Sequence, residues 1–249
     1  MPKKIALVIF PIIILLSLVF LLIKILSTDI NNPYKIVLVG DSMTAILGEN
    51  VSELKDYLKK DFPNQKFEII NYSLGSTNIF SVDDRLEKIS TISGRIHPPI
   101  LKQDFDLIII ESFGHNPLSQ YKLKEGLEKQ THALTSAIYK IKQTHPESRI
   151  VFLATIAPHK TRYGEGSVVL MPDKRIEWAK ERVAYIENHI KFAKENNIPL
   201  VNIYQKSLDE KGGGNIDYIN TKDFIHPSPT GVYLISKEIA DFIKNNHLF

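Results

Sequence analysis

The stretch that decides the fold is residues 35–44, which read KIVLVGDSMT. The unbroken apolar run from Ile36 to Val39 is typical of a parallel strand that helices cover on both faces. The strand ends in Gly-Asp-Ser and leads into a segment whose apolar residues follow helical spacing. Chemistry in open α/β sheets is placed where strands end, so Ser42 is a candidate nucleophile.

The remainder of the chain alternates between apolar runs of strand length and longer segments of helical spacing. This alternation predicts a parallel sheet with right-handed crossovers, in a three-layer, flavodoxin-like α/β fold over residues 35–249. The predicted strands are residues 36–39, 66–71, 106–111, 149–155 and 199–203, and the predicted helices are 42–60, 79–92, 121–144, 173–196 and 229–246. Residues 157–172 are predicted to be a loop that selects the substrate and acts as a lid.

Distinctive polar residues and glycines follow the first three predicted strands. Ser42 follows the first, Gly75 the second and Asn116 the third, and the carboxyl ends of parallel strands share one edge of the sheet. A serine nucleophile needs a base, the base needs an acidic group that orients it, and the developing oxyanion needs hydrogen-bond donors. Asp223 and His226, three residues apart in a proline-rich stretch, are candidates for the orienting acid and the base.

Four blocks of the sequence together resemble the SGNH hydrolases, also called GDSL-type esterases and lipases. The blocks are Gly40-Asp41-Ser42, Gly75 in residues 71–77, Gly114-His115-Asn116 and Asp223-Phe224-Ile225-His226. The resemblance extends over about residues 36–239. It implies Ser42 as nucleophile and oxyanion donor, Gly75 and Asn116 as the other donors, His226 as base and Asp223 as its orienter. Two differences from the family pattern are a shorter second block and Pro117 in place of the usual Asp.

Each block also has a purely structural interpretation. Ser42 could cap the first helix, and Asn116 before Pro117 could form a turn. Gly75 could be an ordinary loop glycine, while Asp223 and His226 could be a turn residue and a surface residue. The other histidines lack the paired spacing of a metal site, although His115 and His159 are predicted to lie in loops near the same edge of the sheet.

The amino-terminal segment is almost entirely apolar from Ile5 to Leu26. As a helix it would be about 33 Å long, enough to cross a bilayer core of about 30 Å. We interpret residues 1–26 as a retained membrane anchor and 27–34 as a linker. Basic residues before the apolar run place the amino terminus in the cytoplasm and the domain outside. The alternative is a cleaved signal peptide and secretion, but the apolar run is longer than usual and no small-x-small cleavage site follows.

Composition excludes several classes of protein. The net charge is +3, from 31 basic and 28 acidic residues, which argues against nucleic acid as a partner. The chain has no cysteine, so disulfides, a thiolate nucleophile and a lipoprotein anchor are excluded.

The sequence therefore predicts a membrane-anchored, extracytoplasmic serine ester hydrolase that needs no metal or organic cofactor. Its expected partner is a small-molecule, glycan or lipid ester, possible sources being acylated glycans or lipids of the cell envelope. Two alternatives stay open: an O-acyltransferase with the same triad, and a non-catalytic glycan- or partner-binding module on this scaffold.

Overall fold

The fold is a five-stranded parallel sheet between two layers of helices. The computed structural model describes residues 32–248. The strands of the main sheet are β1 (Tyr34–Val39), β2 (Phe67–Asn71), β5 (Leu107–Glu111), β6 (Arg149–Ala154) and β7 (Leu200–Asn202), in the order β2-β1-β5-β6-β7. All four pairings are parallel. This order is that of flavodoxin-like sheets, and it confirms the predicted five-stranded α/β fold.

The helices connect these strands and cover the sheet. They are α1 (Ser42–Ala45), α2 (Ser52–Asp61), α3 (Ser81–Glu87), α4 (Leu123–Thr144), α5 (Pro172–Glu195), α6 (Ile203–Lys206) and α7 (Pro229–Asn245). Two further strands, β3 (Ser90–Ile92) and β4 (Arg95–His97), form a separate antiparallel hairpin.

Strand β1 shows why its sequence lacks the alternation of a half-exposed strand. Ile36 and Leu38 pack into the core beneath α2 and α7, whereas Val37 and Val39 pack into the core beneath α3, α4 and α5. All four side chains are buried, because successive residues of a strand point to opposite faces and both faces are covered.

Two predicted helices were wrong in extent. The predicted helix 42–60 is divided into α1 and α2, because Gly48 and Val51 both take positive φ values. The predicted helix 79–92 ends at Glu87, and its last residues form β3, which turns through Ser93 and Gly94 into β4. Both turn residues have positive φ, as type I′ hairpin turns require.

The predicted membrane anchor lies outside the described residues. Within residues 32–248, no helix combines the length and the apolar character needed to cross a bilayer. The described part of the chain enters the fold at β1, whose first residue Tyr34 lies at the sheet edge opposite to Ser42.

Candidate active site

The first junction places Ser42 at the start of α1. Asp41 caps this short helix: its Oδ1 accepts a 2.8 Å hydrogen bond from the Met43 N–H. Gly40 is needed for the tight turn, since a Cβ there would lie 2.6 Å from Oγ1 of Thr44 and 2.9 Å from Cβ of Glu111. The cap is therefore Asp41, and Ser42 is a half-buried residue of the helix itself.

The loop after β2 brings Gly75 next to Ser42. A Cβ built on Gly75 would lie 3.6 Å from the Cβ of Ser42. Gly40 fixes the loop through its carbonyl, which accepts hydrogen bonds from the Leu74 N–H at 3.1 Å and from the Arg85 guanidinium at 2.6 Å. Arg85 also donates to the Thr77 hydroxyl. The shorter second block thus still places Gly75 against Ser42.

The loop after β5 brings Asn116 to the same junction. Nδ2 of Asn116 donates to Oδ2 of Asp41 at 2.9 Å. An amide nitrogen carries two hydrogens, so this bond orients the group and uses only one of them. Ser42, Gly75 and Asn116 therefore surround one turn, although they come from three separate strand ends.

The turn before α7 holds the Asp223–His226 pair. Nδ1 of His226 lies 2.9 Å from Oδ2 of Asp223, and Oδ1 accepts the N–H groups of Ile225 at 2.9 Å and His226 at 3.0 Å. Burial alone would raise the pKa of Asp223, but these hydrogen bonds hold that pKa below its ordinary value. An ionised Asp223 accepts the Nδ1 hydrogen and leaves Nε2 of the neutral imidazole as a proton acceptor.

Residues 163 and 164 join this turn to the Asn116 loop: the Gly164 N–H donates to the Phe224 carbonyl at 3.3 Å, and the Tyr163 hydroxyl lies 3.2 Å from Nδ1 of His115. Burial is the main cause that raises the pKa of Tyr163 to about 12, and the charges of Asp41 and Asp223 add to it. Burial lowers the pKa of His115, next to Asn116, to about 3. All five predicted site residues therefore lie at the carboxyl edge of the sheet.

A buried carboxyl pair under Ser42 was not predicted from the sequence. Oε2 of Glu111 accepts the Asp41 N–H at 3.2 Å, and its Oε1 accepts the Ser112 hydroxyl at 2.7 Å and the Phe113 N–H at 2.9 Å. Burial, and then the adjacent Asp41 carboxylate, raise the pKa of Glu111 well above its ordinary value. A signal was present in the sequence, because Glu111 is the charged last residue of a strand that is otherwise apolar.

Arg85 provides the positive charge of this cluster. It is almost completely buried, and burial lowers its pKa to about 10 against the opposing influence of the Asp41 and Glu111 carboxyl groups. Its second nitrogen donates to the Ser81 hydroxyl at 2.9 Å. A protonated Glu111, an ionised Asp41 and a cationic Arg85 leave no net charge buried beneath Ser42.

Comparison with known proteins identifies the family to which a chain with this fold and this cluster of side chains belongs. The model of the GDSL-like lipase/acylhydrolase family matches residues 36–239. The chain belongs to this family and is accordingly a carboxylic ester hydrolase. Comparison with curated protein sequences gives no match.

Solved structures share the fold at low sequence identity. A GDSL-like lipase from Bacteroides thetaiotaomicron is 16% identical, with a TM-score of 0.59 over 86% of this chain and 89% of that chain. The lipase/acylhydrolase from Enterococcus faecalis is 19% identical, with a TM-score of 0.58 over 85% and 96%. An acetylxylan esterase from Geobacillus stearothermophilus is 15% identical, with a TM-score of 0.54 over 86% and 96%.

Proposed function

We propose that this protein is a membrane-anchored, extracytoplasmic esterase that removes O-acyl groups through an acyl-serine intermediate on Ser42. The observation that carries the proposal is the hydrogen-bonded Asp223–His226 pair at the same sheet edge as Ser42, Gly75 and Asn116. A helix cap alone would not account for Ser42, because Asp41 supplies the cap.

In the first half-reaction, His226 Nε2 accepts the Ser42 hydroxyl proton while Oγ bonds to the ester carbonyl carbon. Asp223 stabilises the resulting imidazolium. The tetrahedral oxyanion takes hydrogen bonds from the N–H groups of Ser42 and Gly75 and from the free amide hydrogen of Asn116. When the intermediate collapses, the carbon–oxygen bond to the alcohol breaks and the alcohol leaves with the proton from His226.

In the second half-reaction, water attacks the acyl carbon and its proton passes to His226. The same three donors stabilise the second oxyanion. Collapse then breaks the bond between the acyl carbon and Ser42 Oγ, which regains the proton, and the carboxylic acid is released. Each half-reaction needs Nε2 of His226 free to accept a proton.

The direction of β1 favours a substrate that lies away from the anchoring membrane. The linker at residues 27–34 reaches the domain at the start of β1, and Ser42 follows its end. Six residues of a strand extend over roughly 20 Å, so an anchor at residues 5–26 would join the sheet edge opposite to the site. We therefore favour O-acylated envelope glycans over lipids of the anchoring bilayer. Two acetylxylan esterases among the structural neighbours support an O-acetylated glycan as the substrate.

The test is labelling of the full-length chain with a fluorophosphonate, followed by intact-mass analysis and assays on a panel of acetylated glycans. We expect one phosphonyl adduct per chain, on Ser42, with residues 1–26 still present in the measured mass. Ser42→Ala should remove the adduct and lower ester hydrolysis by at least 10³-fold, whereas the control Ser119→Ala should retain both.

Three results would contradict parts of this proposal. An adduct that persists in Ser42→Ala would show that another residue is the nucleophile. A chain mass without residues 1–26 would show that the segment is a cleaved signal. Acyl transfer to added glycan hydroxyl groups in preference to water would favour the acyltransferase alternative.

A further inference from the structure

The loop between β6 and α5 contacts the Asp223–His226 turn along its length. We refer to residues 157–167 as the brace. The Gly164 N–H donates to the Phe224 carbonyl at 3.3 Å, and the Arg162 guanidinium lies 3.9 Å from the centroid of the Phe224 ring. Gly166 has φ +91° and lies so close to the Lys222 carbonyl oxygen that a Cβ would be 2.2 Å from it. The brace therefore packs tightly against the turn that holds the base.

The same segment also binds the loop that carries Asn116. The Tyr163 hydroxyl lies 3.2 Å from Nδ1 of His115, and Nε2 of His115 lies 3.0 Å from the Ile156 carbonyl oxygen. A carbonyl can only accept, so Nε2 carries the hydrogen of the neutral ring and Nδ1 accepts from Tyr163. Burial lowers the pKa of His115 to about 3, which keeps the ring neutral at ordinary pH.

The loop around His115 has little room to move. A Cβ on Gly114 would lie 2.2 Å from Cγ1 of Ile186 in α5, so the backbone at this position is pressed against that helix. The Asn116 N–H donates to the Phe113 carbonyl at 3.1 Å, which closes a tight turn with Phe113 at positive φ. The His115 ring is the side chain that joins this turn to the brace, one residue before the oxyanion amide.

A buried histidine is often only a core residue, and His189 provides that comparison within this chain. His189 stacks on Phe152 at 4.2 Å between ring centroids, in the core beneath α5. His115 differs because its two ring nitrogens contact Ile156, which follows β6, and Tyr163 of the brace, and so link both to the Asn116 turn. His115 is therefore held from both sides of its ring, whereas His189 only packs in the core.

The geometry points to Tyr163 and His115 as positioning residues, which fix the oxyanion amide of Asn116 relative to the Asp223–His226 turn. This inference rests on the proposed function, because it assigns Asn116 to the oxyanion. It also changes the role expected for residues 157–172: the first part of the loop is a fixed support, and the predicted lid is limited to the exposed residues that follow.

The test is a double-mutant cycle with Tyr163→Phe and Asn116→Ala in the full-length chain. Tyr163→Phe removes only the hydroxyl, so kcat should fall roughly 10-fold and KM should stay within about twofold. In the Asn116→Ala background the same change should lower kcat by less than about twofold, since the positioned group is absent. The exposed Tyr139→Phe is the matched control and should change neither parameter.

Two further measurements separate positioning from general destabilisation. His115→Gln retains one donor and one acceptor and should restore most of the kcat that His115→Leu loses. In ¹⁵N-labelled protein, Tyr163→Phe should shift the side-chain amide resonance of Asn116, whereas Tyr139→Phe should not. This resonance tests the inference even if the wild-type chain hydrolyses no ester, a result that would count against the proposed function alone.

The inference fails if Tyr163→Phe lowers kcat by the same factor in the wild-type and Asn116→Ala backgrounds. It also fails if Tyr163→Phe changes KM and leaves kcat unchanged. It also fails if the Asn116 resonance does not move. Wild-type hydrolysis that depends on Ser42, combined with additive effects in the cycle, would support the proposed function and reject the positioning role.

Discussion

At the scale of single residues, the main energetic problem is the pair of carboxyl groups beneath Ser42. Asp41 and Glu111 are both fully buried, and two adjacent buried carboxylates repel each other strongly. Burial raises the pKa of Asp41 as well, but hydrogen bonds from Asn116 and Met43 and the nearby Arg85 oppose this rise, whereas the pKa of Glu111 is raised well above its ordinary value. Glu111 is therefore the member that holds a proton, and this state depends on pH.

We predict that Glu111→Gln becomes less destabilising as pH rises. An unfolded chain releases the Glu111 proton near its ordinary pKa of 4.5, but the folded chain retains it to a much higher pH. Above pH 4.5 the folded state thus binds more protons, so the wild type loses stability as pH rises, by up to about 1.4 kcal/mol per pH unit. Glutamine has no such proton to release. Urea unfolding of the wild type and of Glu111→Gln from pH 4.5 to 7.5 measures the difference between their free energies of unfolding.

The exposed residue Glu210 provides the control. The difference in free energy of unfolding between Glu210→Gln and the wild type should not narrow as pH rises. If the difference in free energy of unfolding between the wild type and Glu111→Gln stayed constant across this pH range, Glu111 would be ionised in the folded protein. The cluster would then bury a net negative charge beneath Ser42.

At the scale of elements, the sequence predicted the strands of the main sheet well and the turns poorly. Short segments rich in apolar residues predicted all five strands of the main sheet, most clearly the continuous run from Ile36 to Val39. The hairpin of β3 and β4 was missed, since the β-branched Thr91 and Ile92 also fit the helical spacing of the preceding segment. The Ser93-Gly94 pair was the available signal for its turn.

The site shows the same division between what sequence could and could not predict. Ser42, Gly75, Asn116, Asp223 and His226 could be proposed from the sequence because each follows a strand or lies in a compact block. Contacts between distant segments, such as Tyr163 with His115, leave no local pattern. The loop 157–172 was correctly recognised as lying near the site, but its division into a packed part and an exposed part depends on those contacts.

The exposed part of that loop is where substrate preference can change without loss of the catalytic geometry. Arg175 of α5 fixes the segment by donating to the carbonyls of Tyr163 at 3.2 Å and Val168 at 3.1 Å. Beyond Val168, Val169 is fully exposed and Met171 is 74% exposed. These exposed apolar side chains directly follow the brace in the chain, and no hydrogen bond or ring contact from them to the Asp223–His226 turn or the Asn116 loop is found among the described residues.

We predict that the double variant Val169→Ser/Met171→Ser alters acyl-chain preference. Burial of apolar substrate surface against these side chains favours longer chains by about 25 cal/mol per Å². The ratio of kcat/KM for 4-nitrophenyl hexanoate over acetate should fall roughly three- to tenfold, with acetate hydrolysis within about twofold. Tyr139→Ser, a similar loss of exposed apolar surface on α4, is the control. An unchanged ratio would exclude Val169 and Met171 from substrate selection.

At the scale of the whole molecule, the two layers of helices bury ionisable groups on which stability in acid depends. His115 and His189 are both buried, and burial lowers the pKa of each to about 3. His115 lies next to Asn116 at the carboxyl edge of the sheet, and His189 lies in the core beneath α5. Acid therefore lowers the stability of both regions of the fold. Their ordinary pKa is 6.5.

We predict that the difference in free energy of unfolding between the wild type and His189→Gln becomes smaller as pH falls. Below pH 6.5 the unfolded chain binds a proton at His189, whereas the folded chain does not bind it until about pH 3. The free energy of unfolding of the wild type therefore falls as pH falls through this range. Each such histidine contributes a slope of up to about 1.4 kcal/mol per pH unit, and the variant retains only the His115 contribution.

The measurement is urea unfolding between pH 7 and 4.5, followed by fluorescence of Trp178, the only tryptophan in the chain and a residue of α5 like His189. His189→Gln should be less stable at pH 7, because it loses the stacking contact with Phe152, and the difference should shrink by more than 1 kcal/mol by pH 5. The exposed His247→Gln is the matched control and should run parallel to the wild type. A gap between wild type and His189→Gln that stays constant would mean that His189 is protonated as readily in the folded chain as in the unfolded one, and that α5 packs over a ring that solvent can reach.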